Sequence, residues 1–491
     1  MIATPRTIRM FLLAPAAGLA AMLAGCVSAP TPSRDDTPWT PPRDARKSDD
    51  AWQALRADVP DLSKPLALSD LADIALANNP ATRQRWHQAR AAADQVRQVE
   101  GLFMPEVTAS ASGLRQGVDA NTNHFDSGFL KYGPSLQVNY LVINFGGGRR
   151  AAVEQALQTV YAADYAFNRS IQDVLYAVAT AYYAVVSSRS AVEAAEANVK
   201  DAQTALEAAK TGKSAGTGTE LDVLQAQTAF DQARYVLANA QGQTQIANGN
   251  LCMAVGLPAD TALQLAMPAA DLPPPLAEQD LRRLIDEALQ RRPDIAALRS
   301  QLAASRAAIR VATAAYWPSL YVNGSLSRDY YDTITGQPLQ DNDWAYGIGV
   351  NLQWTLFNGF QTTSARQIAV EQADAAAAQL RQAELATSAD IWERYQTYRT
   401  ALQKNEFSAA FLKSASASQA LALDSYKAGL SGILELLTAE TQLAQARSQR
   451  VAARQEVSAA LAGLAYATGL FEKRAAARPE LLFSTPPHDK E

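Results

Sequence analysis

The apolar positions between Val223 and Ala254 fall three and four residues apart in alternation. They are Val223, Ala226, Phe230, Ala233, Leu237, Ala240, Thr244, Ala247, Leu251 and Ala254. A period of seven is the spacing of helices that pack along a narrow seam and supercoil left-handedly. One set of seam positions is mostly large and the other is alanine every time, which lets two helix axes approach closely. The pattern returns 213 residues later as Leu436, Ala439, Leu443, Ala446, Arg450, Ala453, Val457, Ala460, Leu464 and Ala467, with Arg450 as its one break. The chain therefore predicts one long packed helix twice.

The segment before each of these helices also repeats. Ser69 can cap a helix with Leu71, Ile74 and Ala75 on its apolar face, and Asn78-Asn79-Pro80 ends it. A second helix follows from about residue 81 to 102, and at Pro105 the period changes from 3.6 to 2. Val107, Ala109 and Ala111 alternate with Thr108, Ser110 and Ser112; Leu136, Val138, Tyr140 and Val142 alternate with Ser135, Gln137 and Asn139, and less cleanly with Leu141. Each run is about ten residues, the length of a tilted strand that crosses a membrane. The loop between them is polar, with Asn121, Asn123, Asp126 and Gly128; Phe129 and Tyr132 suit a membrane interface.

Phe145-Gly146-Gly147-Gly148 turns strand into helix, and from Arg150 to Lys210 there is neither proline nor glycine. Such a helix spans on the order of 90 Å. Its lower part carries the heptad Ile171, Val178, Val185, Val192, Val199, Leu206, with Val174, Ala181, Ser188, Ala195, Ala202, Ala209 as the second seam. The chain turns around residues 212–219 and returns antiparallel, which makes a long helical hairpin. In the second half Pro318 matches Pro105, and Phe357-Asn358-Gly359 matches Phe145-Gly146-Gly147. Strands recur as Leu320, Val322, Gly324, Leu326 and as Ile348, Val350, Leu352, Trp354, Leu356. The architecture reads as mainly α with a β part, built from two helix–strand–strand–helix repeats over residues 66–270 and 271–472. Strands are expected near 105–115, 134–143, 318–327 and 347–356, and residues 473–491 form a tail.

Composition narrows the class. A formal charge of −5 argues against a nucleic-acid binder. The N-terminus reads as a signal peptide over residues 1–25: Arg6 and Arg9, an apolar run from Met10 to Leu23, then Leu23-Ala24-Gly25-Cys26. The alternative is an ordinary secretory signal with a chance cysteine. Residues 26–65 form a proline-rich linker in which Trp39 and Trp52 suggest contact with the folded body. Cys252 sits inside the alanine-rich helix and reads as a buried, inert thiol. His87, His124 and His488 belong to no ligand motif, and no metal or cofactor is expected. Gly212-Lys213-Ser214 lacks the earlier glycine of a phosphate loop, since Glu207 stands there, and no nucleophile elbow or other catalytic motif appears. The chain is not read as an enzyme.

Two physical demands point to function. Membrane strands must close, because unpaired backbone in lipid costs several kcal/mol per group. Four strands are too few when the smallest barrels need eight, so several chains must share one barrel. Helices of this length with a polar outer face can line up as a cylinder beneath it, and a barrel joined to a cylinder is a conduit. The duplicated order, the Pro105 and Pro318 strand entries, the glycine-rich strand exits and the Ala-Gly-x5-(Asp/Glu)-x-Leu-x-Ala tips resemble the TolC and OprM outer-membrane factors. The resemblance covers about residues 66–472. It implies a homotrimer with a twelve-strand outer-membrane barrel and a twelve-helix periplasmic tunnel. It also implies a passive duct that meets an inner-membrane pump through a periplasmic adaptor. The Cys26 box resembles a lipobox and implies lipidation; Val27, in place of a retaining aspartate, implies the outer membrane. The lipoprotein subtype implies a drug-exporting pump of the RND class; an ABC-type protein-secretion system is the alternative. A coiled-coil periplasmic scaffold without a pore is a reading of another class.

The tips carry the candidate site. Gly216 and Gly429 make the turns; Asp222 and Glu435 each follow by six residues. In TolC-like channels acids at these places narrow the tunnel mouth, and a tyrosine matching Tyr426 joins the closed-state network. Ser431 and Thr438 stand where TolC has an arginine and a second aspartate. Helix capping is a compatible role for the acids, since Thr219-x-x-Asp222 fits a capping box.

Overall fold

The computed structural model describes residues 64–118, 127–266, 278–333 and 344–469. Cys26, the linker with Trp39 and Trp52, Asn121, Asn123 and Asp126, the Pro273–Pro275 run and the tail lie outside them. Each half opens with two helices joined at a single cap residue: α1 (Leu68–Asn78) and α2 (Pro80–Glu100), then α5 (Glu278–Arg291) and α6 (Pro293–Thr313). Strands β1 (Glu106–Val118) and β2 (Ser127–Asn144) lead to α3 (Gly148–Ser214) and α4 (Glu220–Val255). Strands β3 (Ser319–Arg328), β4 (Tyr330–Thr333) and β5 (Trp344–Gln353) lead to α7 (Gln361–Lys427) and α8 (Ile433–Ala467). Among the described residues no helix is long and apolar enough to cross a membrane.

Helices α3 and α7 are each 67 residues, about 100 Å. Along the return helices α4 and α8 the least exposed positions follow the seven-residue period. Between Asp231 and Ile246, the only α4 positions that are not exposed are Ala233, Leu237, Ala240 and Thr244. In α8 every seam position is buried except Arg450. Arg450 crosses to α7, where it donates to Asn405 O at 2.7 Å and Asn405 Oδ1 at 2.8 Å, so the break in the pattern is matched by a polar partner. The thickest core lies at the top of the first hairpin, where Leu71, Ile74 and Ala75 of α1 meet Leu175, Val178 and Tyr182 of α3 and Leu251 of α4. Cys252 is buried there, its thiol donating to Thr261 O.

The cap residues show how deep the duplication runs. Asn79 Nδ2 donates to Ala254 O at 3.0 Å, and in the second half Arg292 Nη1 donates to Ala467 O at 2.9 Å. Arg292 also binds Asp294 at 2.6 Å and Asp390 at 3.5 Å. Asp390 in turn holds Arg394, while Arg169 of α3 pairs with Asp173 and lies over the Tyr466 ring. These side chains tie α3, α6, α7 and α8 together where the two repeats meet.

The strands form one antiparallel sheet in the order β1-β2-β3-β5, with β4 continuing β3 along β2. Strand β2 starts at Ser127, earlier than the alternation suggests, because β1 pairs with it as far as Val118↔Ser127. Strand β5 ends at Gln353, so Trp354 and Leu356 lie past it; the Trp354 indole donates to Tyr316 O instead of extending the ladder. The irregular Leu141 sits at a bulge between Leu141 and Ile143, and Arg149 donates to the carbonyls of Leu141 and Val142 beside it. The glycine-rich exit is needed because the second repeat presses on it: a Cβ on Gly146 would stand 2.6 Å from Ala314 O.

Candidate functional sites: membrane band and helix tips

The register sorts the sheet into two faces. Val107↔Val138, Leu136↔Leu326, Val322↔Val350 and Leu320↔Leu352 stand side by side on one of them. The opposite face carries Ser110↔Ser135, Asn139↔Asn323 and Asn323↔Gly349, and it is laced by Ser110–Ser135 (2.8 Å) and Asn323–Asn139 (3.0 Å) hydrogen bonds. In the single chain the apolar face is bare: Tyr346 is 85% and Ile348 86% exposed. Water would penalise such a surface and hydrocarbon would not. Aromatic residues stand at both ends of the band. Tyr132, Tyr330, Trp344 and Tyr346 lie at the end far from the helices; Trp317, Trp354, Phe357 and Phe360 lie at the helix end. Eight residue steps separate Tyr346 from Trp354, roughly 27 Å at 3.4 Å each, close to the ~25 Å band of outer-membrane barrels. Both outer edges, β1 and β5, have no strand partner among the described residues.

At the first tip Gly216 takes φ +76°, a left-handed turn that a side chain would strain. Thr219 then caps α4: Asp222 N donates to Thr219 Oγ1 at 3.2 Å, and Thr219 N donates to Asp222 Oδ2 at 2.7 Å. Lys213 pairs with Glu220 across the turn. The second tip repeats the left-handed glycine at Gly429 (φ +70°), but Gly432 offers no side-chain cap, and Glu435 stands exposed in the first turn of α8. Tyr426 leans into the cluster formed by Ala209, Val223, Ile433 and Leu436, and its hydroxyl has no hydrogen-bond partner. Burial first, and the Asp222 charge second, hold that phenol above its usual range. At the tip the Asp222 charge thus acts on Tyr426 without a hydrogen bond between them. Thr438 spends its hydroxyl on Leu434 O of its own helix, and Ser431 Oγ is buried without a partner.

A second polar group lies higher in the bundle, which the seam pattern does not announce. Arg447 of α8 binds Asn198 Oδ1 at 2.6 Å and Asp201 Oδ2 at 2.7 Å on α3. Glu440, nearly two turns below on α8, has a buried oxygen without a partner. Burial and the nearby Asp201 charge push its pKa up to about 7, against a hydrogen bond from Gln419 that lowers it. Asp164 of α3 is fully buried with neither oxygen bonded, and burial alone pushes it to about 7. Among the described residues no cluster of His, Cys, Asp or Glu could hold a metal.

An open piece of sheet with a lipid-suited face, carrying duplicated helix hairpins whose longer arms run about 100 Å, defines a class: membrane channels assembled from chains that each supply part of the wall. The family described as outer membrane efflux protein matches residues 71–257 and 284–470, once in each repeat, and the chain belongs to that family. It is an outer membrane channel component of efflux systems. It is 30% identical to Protein CyaE of Bordetella pertussis over 386 residues, 79% of this chain and 80% of that one. It is 28% identical to the pyoverdine export outer membrane protein OpmQ of Pseudomonas aeruginosa over 380 residues, 75% and 77% of the two chains. The match to the probable efflux pump outer membrane protein TtgC of Pseudomonas putida, 32% identical, spans 60% of each. Among solved structures the fold matches the outer-membrane channel OprN with a TM-score of 0.72 at 21% identity, covering 90% of this chain and 99% of that one. It matches VceC of Vibrio cholerae at 0.69 and 19% identity, covering 82% and 96%.

Proposed function

We propose that three copies of this chain form a passive export duct. Each copy gives four strands to a twelve-strand barrel and four long helices to a twelve-helix periplasmic tunnel. A periplasmic adaptor joins the tunnel mouth to an inner-membrane pump of the RND class. The observation that carries this reading is the sheet: one apolar face runs unbroken through the register of four strands, and both edges are open among the described residues. Backbone groups on such edges require partners in lipid, and further copies are the partners with matching strands. The relatives named for pyoverdine export and for efflux support small molecules as cargo. Cys26 carries the lipid anchor after removal of residues 1–25, and the two repeats are the structural units of the mature chain.

Asp222, Glu435 and Tyr426 form the periplasmic gate, with Gly216 and Gly429 as its turns. Three copies bring six carboxylates to one ring, which favours cations. Asp222 serves twice, as helix cap and as gate charge. Purified full-length protein in planar bilayers tests both levels. The reading expects single-channel events with cation preference, and a weaker preference in Asp222→Ala plus Glu435→Ala. Absence of any conductance would favour a pore-free scaffold, and unchanged selectivity in the double variant would remove the gate assignment.

A further inference from the structure

The lipid-suited face of the sheet ends on an arginine at the same place in each repeat. On β3 the row Leu320, Val322, Gly324, Leu326 is completed by Arg328. On β1 the row Val107, Ala109, Ala111, Gly113 is completed by Arg115, the duplicate of Arg328, 213 residues earlier. Each arginine stands eight residue steps, roughly 27 Å, beyond the first apolar position of its row. That is the margin of the band far from the helices, where hydrocarbon gives way to headgroups and a cation costs little.

The register pairs Arg328 with Trp344, so it shares the face of Tyr346, Ile348, Val350 and Leu352. Its guanidinium lies over the Tyr330 ring at 5.2 Å and the Trp344 ring at 5.5 Å, and Tyr330 stacks on Tyr132. The rings fix the plane of the cation without using its N–H groups. Its Nε is buried and has no hydrogen-bond partner. Among the described residues no carboxylate pairs with it. Asp329, the next residue, instead binds Lys131 at 3.0 Å on the opposite face. Strand β3 lies inside the sheet between β2 and β5, so closing a barrel at β1 and β5 leaves Arg328 on the outer surface. An oriented guanidinium with its fork free matches two oxygens of a phosphate. The apolar row beneath it suits acyl chains, so the matching phosphate is one carried on lipid. We propose that Arg328, seated between Tyr330 and Trp344, binds the phosphate of an outer-leaflet lipid, and that Arg115 offers a weaker second site. The inference rests on the barrel proposed above. Arg115 is the weaker because it is exposed and stands opposite Leu130 rather than an aromatic residue.

Native mass spectrometry of the purified full-length protein, released from detergent after titration with dioleoyl phosphatidate, counts chains and bound lipids together. Dioleoylglycerol, which lacks the phosphate, and inorganic phosphate, which lacks the chains, are the controls. Phosphatidate is expected to stay bound where neither control does. Arg328→Gln should weaken it about tenfold, the loss of a charge-assisted pair, and Arg115→Gln about threefold, as for an exposed pair. Arg328→Lys keeps the charge without the fork and should fall between wild type and Arg328→Gln; it carries the test if Arg328→Gln fails to assemble. Phosphatidate held equally by wild type and the Arg328 variants overturns the site. Equal binding of dioleoylglycerol overturns recognition of the phosphate, and inorganic phosphate bound as tightly as phosphatidate overturns the lipid source. A single-chain particle overturns the barrel beneath the site, whereas an assembled particle with any of the other contrary results overturns the site alone.

Discussion

The ten seam positions of α4 and the ten of α8 come from one duplicated pattern, yet nine are buried in α8 and only Ala226 and Leu251 in α4. The difference is the number of neighbours rather than the sequence of the seam. Helix α8 is wedged between α3 and α7, and α4 rests chiefly on α3. The sheet repeats this lesson, for among the described residues β2 and β3 are paired on both sides while β1 and β5 each keep a free edge.

The sharpest break of this comparison is at the cap residues. Arg292, 7% exposed in its side chain, holds two aspartates and a helix-terminal carbonyl; its duplicate Asn79 holds one carbonyl and caps its own helix. Arg292→Ala removes the cation that Asp294 and Asp390 share, Asp390 keeping Arg394, and should cost about 2–3 kcal/mol, whereas Asn79→Ala should cost about 1 kcal/mol. Thermal denaturation of the two variants, side by side, checks the ratio. Next come the seams. Leu436→Ala, at a fully buried position, should cost about 2–5 kcal/mol, and Val223→Ala, half-buried at the duplicate position, roughly a third of that. Equal losses would mean that α4 is already as enclosed as α8.

The strand exits give a smaller effect of opposite sign. The N-cap of α3 is Gly147 at φ +71°, and the N-cap of α7 is Phe360 at φ +64°, one residue past the matching Gly359. A bulky residue in the left-handed region is strained, so Phe360→Gly should stabilise by about 1 kcal/mol while Gly147→Ala destabilises by a similar amount. Chemical denaturation resolves both signs.

The mildest prediction concerns pH. Glu440 has Gln227 as its duplicate, so only the second hairpin titrates here. Its pKa is raised to about 7 in the fold, so the folded state keeps the proton after the unfolded chain has lost it. Its contribution to stability is full below about 4.5, falls as pH rises through about 7, and is then level. Glu440→Gln should match the wild type at acid pH and exceed it above pH 7, and Asp164→Asn should behave alike. Melting temperatures across pH 4 to 8 read the divergence; parallel curves would show that both carboxylates are ordinary.

What the sequence disclosed follows from the range of the forces involved. Seam periodicity and strand alternation are local, so the positions from Val223 to Ala254 and the apolar face through Val107, Leu136, Val322 and Val350 could be read off the chain. Both helix tips were legible because Ala-Gly and the acid six residues later lie within two turns. The network around Arg292 was not legible, since it joins residues from Arg169 to Tyr466 that only packing brings together. Arg450 stood out as a flaw, and its explanation lay in Asn405 and Ser408, the duplicates of Val192 and Ala195 in the partner helix. Glu440 lies off the seam, and only packing brings Asp201 of α3 and Gln419 of α7 near it. The full length of β2 escaped because pairing with β1, rather than alternation, sets where it begins.

Among its described residues one chain leaves its sheet open at both edges. Native mass spectrometry of the detergent-solubilised full-length protein measures directly how many chains complete it. Three copies in one particle are predicted. A stable single chain with its strands intact would contradict the account.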